Sequence, residues 1–244
     1  MIEHYPHEGK SLSPATARCS GASRRSRGNP LAEENEGHPW LGGISICFLC
    51  ASPLYLFVAK QREAAIRTKA LSNIRHLGII LYEFDQKYGR FPDATTAAKV
   101  KADTGTPLTL GNATSNQLFR QLIAFGDTNE RAYHAKIRGS KMPDNLFHDD
   151  AHALAPGECG YAYIAGFDSS CDPGTILAVC PLIPGTTLFD PKPFGGKAII
   201  LRADNSATPM PIEPSGQVLL GGKDIFDPSR AIWRGKAPDI KWQE

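Results

Sequence analysis

The chain has 244 residues, of which 41% are hydrophobic and 21% are charged, and its formal net charge is +2. A chain of this length can bury one globular core and carry extensions, and its near-neutral balance gives no overall electrostatic reason to expect nucleic acid as a partner. The 19 prolines and 23 glycines indicate short elements joined by frequent turns, which argues against a helical bundle.

Residues 1–39 are predicted to be a disordered tail. They contain the stretch SPATARCSGASRRSRGNPLAEENEGHP, which has almost no apolar residue that could build a core. Arg24, Arg25 and Arg27 form a basic cluster, but so few charges carry little affinity for nucleic acid or anionic lipid on their own. We therefore interpret the cluster as part of a solvated extension.

Residues 40–59, WLGGISICFLCASPLYLFVA, are predicted to form a transmembrane helix. No charged side chain occurs between His38 and Lys60, and about 20 apolar residues suffice to cross a bilayer core. Trp40 stands at the start, where an aromatic anchor is expected at the membrane interface. Basic residues flank both ends, so the positive-inside rule does not decide the orientation, and a buried core helix is the alternative.

An apolar stripe follows in residues 60–92. Its members recur three or four positions apart, which places them on one face of a helix, and charged residues occupy the other face. No proline interrupts the chain from Leu54 to Phe91, so the sequence predicts one long helix whose last part packs on a domain. The stripe consists of Leu71, Ile74, Leu77, Leu81, Phe84 and Tyr88.

The sequence YGRFP is predicted to end this helix. Gly89 follows the last residue of the stripe and accepts the left-handed conformation that closes a helix. Pro92 cannot donate a backbone hydrogen bond, so the helix is not expected to resume. The terminating motif is Tyr88, Gly89, Arg90, Phe91 and Pro92.

Residues 93–244 are predicted to form an α+β domain. Residues 95–116 have the composition of a loop, and SNQLFRQLIAFG is predicted to be a short helix capped by Ser115 or Asn116. GYAYIAGF, TILAVCPLI and GQVLLGG are typical of strands, and KAIILRADNSATPMPI predicts a hairpin that turns at 204–206. Consecutive strands with short turns favour an antiparallel sheet, one face of which the stripe would cover.

The apolar segment and the sequence KALSNIRHLGIILYEFDQKYGRFPD together resemble the N-terminal half of type IV pilin-like proteins, particularly the pseudopilins of type II secretion systems. In that family a membrane helix extends into an amphipathic helix, which ends in a Tyr-Gly-Arg-Tyr/Phe-Pro type of motif. The later PLIPGTTLFDPKPFGGKAIILRADNSATPMPI is similar to the carboxyl-terminal region of pilin-like proteins from environmental bacteria. The resemblance implies a pilin-like fold, in which the long helix packs on a small antiparallel sheet.

The resemblance also implies a structural, non-enzymatic function. The protein would cross a bacterial inner membrane once and carry its carboxyl-terminal domain in the periplasm. Its partners would be other pilin-like subunits or secretion-system membrane proteins, with no nucleic acid and no small-molecule substrate. Family members are cut after a leader glycine, which implies a processing site between Gly43 and Ile44. Phe48 stands where the family has a glutamate that pairs with the terminal amine of a neighbouring subunit.

Two alternatives remain open. The absent glutamate and the long tail favour a membrane-tethered periplasmic binding module that never assembles. The sequence HDDAH would suit a metal-dependent enzyme, because imidazole and carboxylate groups bind divalent metals, although its spacing differs from that of HExxH zinc sites and a solvated polar loop is the simpler interpretation. No GxxxxGK[ST] or GxSxG motif occurs. The candidate ligands are His148, Asp149, Asp150 and His152.

The sequence requires no cofactor, and it leaves the pairing of the cysteines open. Some pseudopilins bind calcium in their carboxyl-terminal loops, and Asp190, Asp204 and Asp227 are the residues that could do so here. A periplasmic domain would allow one disulfide with one thiol left over, and three reduced core cysteines fit the sequence equally well. The cysteines concerned are Cys159, Cys171 and Cys180.

Overall fold

A computed structural model describes residues 40–244 of the chain, with side chains from residue 57 onward. The predicted tail, the side chains at the implied processing site and most side chains of the predicted transmembrane segment lie outside this part. Within the part that is described, no helix is long and apolar enough to cross a membrane. Residues Cys47–Glu244 form one compact unit, which contains the whole β-sheet.

The fold consists of one very long helix, two short helices and a five-stranded antiparallel sheet. Helix α1 runs without interruption over 49 residues, Trp40–Tyr88, and is followed by α2, Ala97–Thr104, and α3, Ser115–Phe125. The strand order is β4-β3-β2-β1-β7, and every neighbouring pair is antiparallel. The predicted α+β fold with an antiparallel sheet is therefore confirmed. The strands of this sheet are β1 Ala162–Ala165, β2 Ile176–Cys180, β3 Lys197–Arg202, β4 Ala207–Pro211 and β7 Asp239–Lys241.

The loop predicted for residues 95–116 is wrong, because it contains α2. This helix has only one buried residue, Val100, so it lacks the apolar periodicity by which a helix is recognised in a sequence. Its ends are fixed instead by polar contacts and backbone conformation. Asp93 Oδ1 accepts the backbone N–H groups of Thr95 and Thr96 at 2.7 and 3.1 Å, and Gly105 closes the helix in the left-handed conformation.

Two further local predictions differ from the structure, and one strand was not predicted. Helix α3 is capped by Thr114, whose side chain accepts the Gln117 backbone N–H at 3.3 Å, rather than by Ser115 or Asn116. The sequence GQVLLGG contributes only a two-residue strand, β5 Leu219–Leu220, which pairs with β6 Lys223–Asp224 in a separate hairpin. Strand β7 has no predicted counterpart, because three residues are too few to show an alternation of apolar and polar positions.

The stripe of α1 packs on one face of the sheet. Ile74, Leu77, Leu81 and Phe84 are fully buried and Tyr88 is nearly so, whereas Leu71 is only partly buried at the margin of the same core. Burying one such side chain stabilises a fold by roughly 1.5–3 kcal/mol. The stripe therefore serves the core of its own domain. On the other side of this core lie Phe119, Tyr161, Tyr163, Leu177, Ile199 and Leu201.

The opposite face of the sheet is covered by the carboxyl-terminal segment. Tyr163 of β1 belongs to the core under α1, whereas the next residue, Ile164, belongs to a second core with Phe226 and Trp233. Both faces of the sheet are thus buried. This explains why all five residues of β2, ILAVC, are apolar and buried, since a strand covered on both faces shows no alternation.

Polar side chains attach α1 to the domain as well. Asn73 Nδ2 donates to the backbone carbonyls of Arg131 and His134, both at 2.8 Å, and the Tyr161 hydroxyl donates to the Ala70 carbonyl at 2.9 Å. These bonds connect α1 to the segment that precedes β1. The position of that segment is therefore set directly by the helix.

The close approach of α1 to the β3–β4 turn depends on Gly78. A Cβ atom at this position would lie 2.0 Å from Asn205 Oδ1, in the turn where Asn205 adopts a φ of 60°. We expect Gly78→Ala to lower the free energy of unfolding by roughly 1–2 kcal/mol, because the steric conflict exceeds the helix propensity that alanine gains. Urea unfolding of the full chain in detergent measures this change.

The control is the double variant with Asn205→Gly. Glycine accepts the positive φ at position 205 and removes the conflicting side chain, so in this background Gly78→Ala should be neutral or stabilising by up to about 1 kcal/mol. An equal cost of Gly78→Ala with and without the Asn205 side chain would show that the contact does not limit the packing.

Candidate functional site

The first two residues of α1 whose side chains are described, Phe57 and Val58, are apolar and exposed. Between residues 57 and 69 no side chain is fully buried, and from residue 57 onward the first buried residue of the helix is Ala70. Phe57 and Val58 are 59% and 56% exposed, although both are large and apolar. Large contiguous apolar patches mark surfaces that another protein or a membrane covers, and these two side chains are the described end of the apolar segment 40–59. We refer to Phe57 and Val58 as the exposed turn.

The domain contacts α1 close to this exposed turn. Arg67 Nη1 donates to the Phe194 carbonyl at 3.0 Å, and Glu63 lies so close to Gly195 that a Cβ there would meet its carboxylate at 2.8 Å. Gly195 also has a φ of 63°, which suits glycine. The orientation of this part of α1 is thus fixed by helix side chains that contact the backbone of the β2–β3 connection.

The terminating motif builds the corner between α1 and α2. Gly89 has a φ of 79° and donates its N–H to the Asp85 carbonyl at 2.6 Å, and the buried Phe91 donates its N–H to the Phe167 carbonyl at 3.2 Å. Arg90 forms an ion pair with Asp93 at 3.0 Å. The Tyr88 hydroxyl donates to Asp103 at 2.9 Å, next to an ion pair between Asp103 and Lys87. The motif therefore positions α2 against the end of α1.

The four candidate metal ligands of HDDAH do not converge on a common point. Asp149 Oδ1 contacts the ring nitrogen of His152 at 2.8 Å, whereas Asp150 accepts the backbone N–H of Thr109 at 2.7 Å and lies 3.6 Å from Arg120. The ring of His148 packs on Phe147 instead. Asp150 thus joins two loops, and the segment acts as a polar connection.

The pKa shifts of Asp149, Asp150 and His152 are caused mainly by these local hydrogen bonds. The hydrogen bond with Asp149 raises the pKa of His152, and the same bond lowers the pKa of Asp149. The hydroxyl and backbone N–H of Thr109 lower the pKa of Asp150. Both carboxylates, Asp149 and Asp150, are exposed, and their hydrogen bonds favour the ionised form.

The three aspartates considered for calcium lie in separate turns. Each accepts a backbone N–H two residues further along the chain: Asp190 from Lys192 at 3.0 Å, Asp204 from Ser206 at 2.8 Å and Asp227 from Ser229 at 2.8 Å. Such bonds are typical of aspartates that stabilise turns. The structure does not gather these three residues into one site.

A different set of acids does meet in the structure. Glu130, Asp144 and Glu158 each place one carboxylate oxygen within 4.8 Å of the other two. Glu130 is fully buried in a short 3-10 turn and Glu158 is 5% exposed, while Asp144 faces solvent. We call this set the carboxylate triad. The residues stand 14 positions apart in the sequence, so no local spacing indicates them.

The surroundings of Glu130 disfavour the ionised form of its carboxyl group. Burial raises the pKa of its carboxyl, the negative charges of Glu158 and Asp144 raise it further, and the backbone N–H groups of Leu154 and Asn145 act in the opposite direction. The Leu154 N–H lies 2.9 Å from Oε1. Oε2 has no hydrogen-bond partner. The triad thus holds a buried carboxylate that is only partly compensated.

The three cysteines of the domain are free thiols in the structure. Cys159 and Cys180 are fully buried, and burial raises the pKa of Cys159 to about 11 and that of Cys180 as well. Cys171 is partly exposed, and its pKa is also raised by burial. Thiols with raised pKa values are poor nucleophiles at neutral pH, so none of the three has the character of a reactive cysteine.

A cavity of about 520 Å³ lies between the β2–β3 connection and the segment before β1. Small-molecule sites in proteins have volumes in this range, roughly 300–1,000 Å³. Gln243 Nε2 donates to the Leu182 carbonyl at 2.7 Å at its wall, while Gln243 Oε1 is buried without a partner. The lining includes Pro156, Cys159, Pro181, Leu182, Pro191 and Gln243.

Comparisons with protein-family models, with curated proteins and with solved structures found no match to this chain. The resemblance to pilin-like proteins therefore rests on the motifs in the sequence alone.

Proposed function

We propose that this protein is a structural subunit of a pilin-like assembly of the type II secretion or type IV pilus kind, without enzymatic activity. It would be held in a bacterial inner membrane by the segment before residue 60, with its domain in the periplasm. The main support for the proposal is that α1 is buried along one part and exposed along another. One helix supplies the core of the domain with its second half and leaves the exposed turn uncovered before that half.

The difference in burial between the two parts of α1 supports this proposal. The stripe is buried in the core of its own domain, so its side chains are not available to bind a partner. Among the described side chains of α1, those of the exposed turn lie before the packed half of the helix and are uncovered, so they can contact a partner. In a pilin-like assembly, helices of neighbouring subunits pack side by side, which would cover Phe57 and Val58. Because both belong to the segment proposed to lie in the membrane, van der Waals packing between helices would favour this contact.

Photo-crosslinking in native membranes tests the proposal. A benzoylphenylalanine residue in place of Phe57 is expected to give a ladder of crosslinked species containing this protein or other pilin-like subunits. Met142 provides a matched control, since it is 60% exposed, as Phe57 is at 59%, but lies in a loop of the domain. Crosslinks that form equally from both positions, or from neither, would contradict assembly through α1.

Intact mass and N-terminal sequencing of the protein from the same membranes add a second readout. A new N-terminus at Ile44 would indicate processing of the prepilin type, which is expected for a subunit that enters a filament. An intact N-terminus together with a monomeric crosslinking pattern would favour the alternative, a membrane-tethered binding module. The cavity of about 520 Å³ is the feature that favours this second function.

A further inference from the structure

The carboxylate triad has the dimensions of a cation site. One oxygen each of Glu130, Asp144 and Glu158 lies within 4.8 Å of the other two. Two oxygens that bind the same Ca²⁺ at 2.3–2.6 Å are at most about 5 Å apart. A single ion can therefore contact all three carboxylates without a large movement of the backbone.

The uncompensated oxygen of Glu130 points to a missing partner. The residue is completely buried, and Oε1 is satisfied by the Leu154 N–H at 2.9 Å. The Asn145 N–H also acts on this carboxylate, but no group meets hydrogen-bond geometry at Oε2. Buried polar atoms are paired in the great majority of cases, because an unpaired one loses its hydration without replacement. The unpaired oxygen, Glu130 Oε2, thus belongs to the carboxylate of the triad that is completely buried.

Backbone groups orient the other two carboxylates. Glu158 Oε1 accepts the Asp144 N–H at 3.3 Å and Oε2 accepts the Ala155 N–H at 2.8 Å, while Asp144 Oδ1 accepts the Leu146 N–H at 2.8 Å. These bonds fix the side chains but bring no positive charge. Among residues 57–244, no lysine, arginine or histidine forms an ion pair with any member of the triad.

We infer that Glu130, Asp144 and Glu158 bind one divalent cation of the oxygen-preferring class, and that this cation is Ca²⁺. The donor set contains no imidazole or thiolate, which zinc and copper would select. Mg²⁺ requires nearly ideal octahedral geometry, whereas Ca²⁺ accepts six to eight oxygens in irregular arrangements that include water. Asp144 faces solvent, so water can complete the coordination there.

The ion would join three segments that are distant in the sequence. Glu130 lies in the turn that Asn73 of α1 holds, Glu158 lies shortly before β1, and Asp144 lies in the loop between them. Binding only to the folded state raises the free energy of unfolding by RT ln(1 + [Ca²⁺]/Kd), so the gain grows with the logarithm of the ion concentration once this exceeds the dissociation constant. The inference does not depend on the proposed assembly, since the site lies within one domain.

The experiment uses the full chain in detergent, treated with EDTA and then supplied with CaCl₂ or MgCl₂. We expect Ca²⁺ at millimolar concentration to raise the melting temperature by about 3 °C or more, and Mg²⁺ to raise it less. Isothermal titration calorimetry should give a dissociation constant of about 10⁻⁴ M or tighter for one Ca²⁺. A melting temperature that does not respond to Ca²⁺ would overturn the inference.

Glu130→Gln is the informative variant, because its two expected effects have opposite signs. In EDTA it should melt at the same temperature as the parent protein or above it, since the buried charge is gone and the new amide can donate to Asp144. In Ca²⁺ it should show no stabilisation. Asp144→Asn, which changes an exposed side chain, provides a second variant and should weaken calcium binding by about tenfold or more.

Asp149→Asn is the matched control, because it removes an acid from the HDDAH loop outside the triad. It should retain the full response to Ca²⁺. Loss of the response in Asp149→Asn, or its retention in both Glu130→Gln and Asp144→Asn, would place the ion elsewhere and overturn the assignment.

Discussion

Leu81→Asp is expected to prevent stable folding of the domain. Leu81 is fully buried between α1 and the sheet, so the variant would lose the apolar contacts of leucine and bury a carboxylate without a partner. The first loss alone costs about 2–5 kcal/mol, which is a large part of the total stability of an ordinary domain. The measurement is the yield of protease-resistant full-length protein, followed by urea unfolding of any folded fraction.

Ile79→Asp is the matched control, two positions earlier on the same helix. Ile79 is 48% exposed, so the same substitution should change the free energy of unfolding by less than about 1 kcal/mol. If Leu81→Asp folded as well as Ile79→Asp, and still crosslinked through the exposed turn, the packing of the stripe on the sheet would be refuted.

Gly160→Ala is expected to have the second largest effect. The segment before β1 passes so close to Ala135 that a Cβ at position 160 would lie 2.6 Å from its backbone nitrogen and 2.8 Å from its carbonyl oxygen. The Gly160 N–H also donates to the Tyr133 carbonyl at 3.0 Å, which holds the two segments together. Backbone atoms cannot move aside by changing a rotamer. We therefore expect a loss of about 3 kcal/mol in the free energy of unfolding, measured by urea denaturation.

Gly174→Ala provides the comparison for this effect. A Cβ at position 174 would meet only the side-chain oxygen of Asp172, at 3.1 Å, so a shift of a few tenths of an ångström relieves the contact while this oxygen keeps its hydrogen bond from the Gly174 N–H at 2.7 Å. The expected cost is below about 1 kcal/mol. Similar costs at the two glycines would show that the contact between Gly160 and Ala135 is looser than the structure has it.

The elements that could be predicted from the sequence are those with a local signal. The stripe shows helical periodicity, Gly89 and Pro92 mark where α1 ends, and the β3–β4 hairpin shows two apolar runs around a polar turn. In each case the residues that decide the structure are close in the chain. The same reasoning placed α3 correctly within a residue, although Thr114 and not its successors supplies the cap.

The elements that could not be predicted depend on distant partners. Asn73 has the polar character of a surface residue, yet it holds two carbonyls of the segment before β1. Strand β7 becomes a strand because the exposed edge of β1 accepts it. The carboxylate triad consists of single acids in polar loops, and only the folded chain shows that two of them are buried together. The HDDAH loop has a denser local pattern of metal-binding residue types, but its side chains pair with neighbours instead.

The continuity of α1 has a mechanical consequence. From residue 57 onward, its buried residues extend from Ala70 to Tyr88, a distance of about 27 Å along a helix that rises 1.5 Å per residue. A force that pulls on α1 along its axis loads all of these contacts at once, in shear, instead of peeling them away one by one. Many contacts must then fail together before the helix slides out of the domain. The domain is thus built to resist traction through α1 far better than a force that lifts the helix off the sheet from one end.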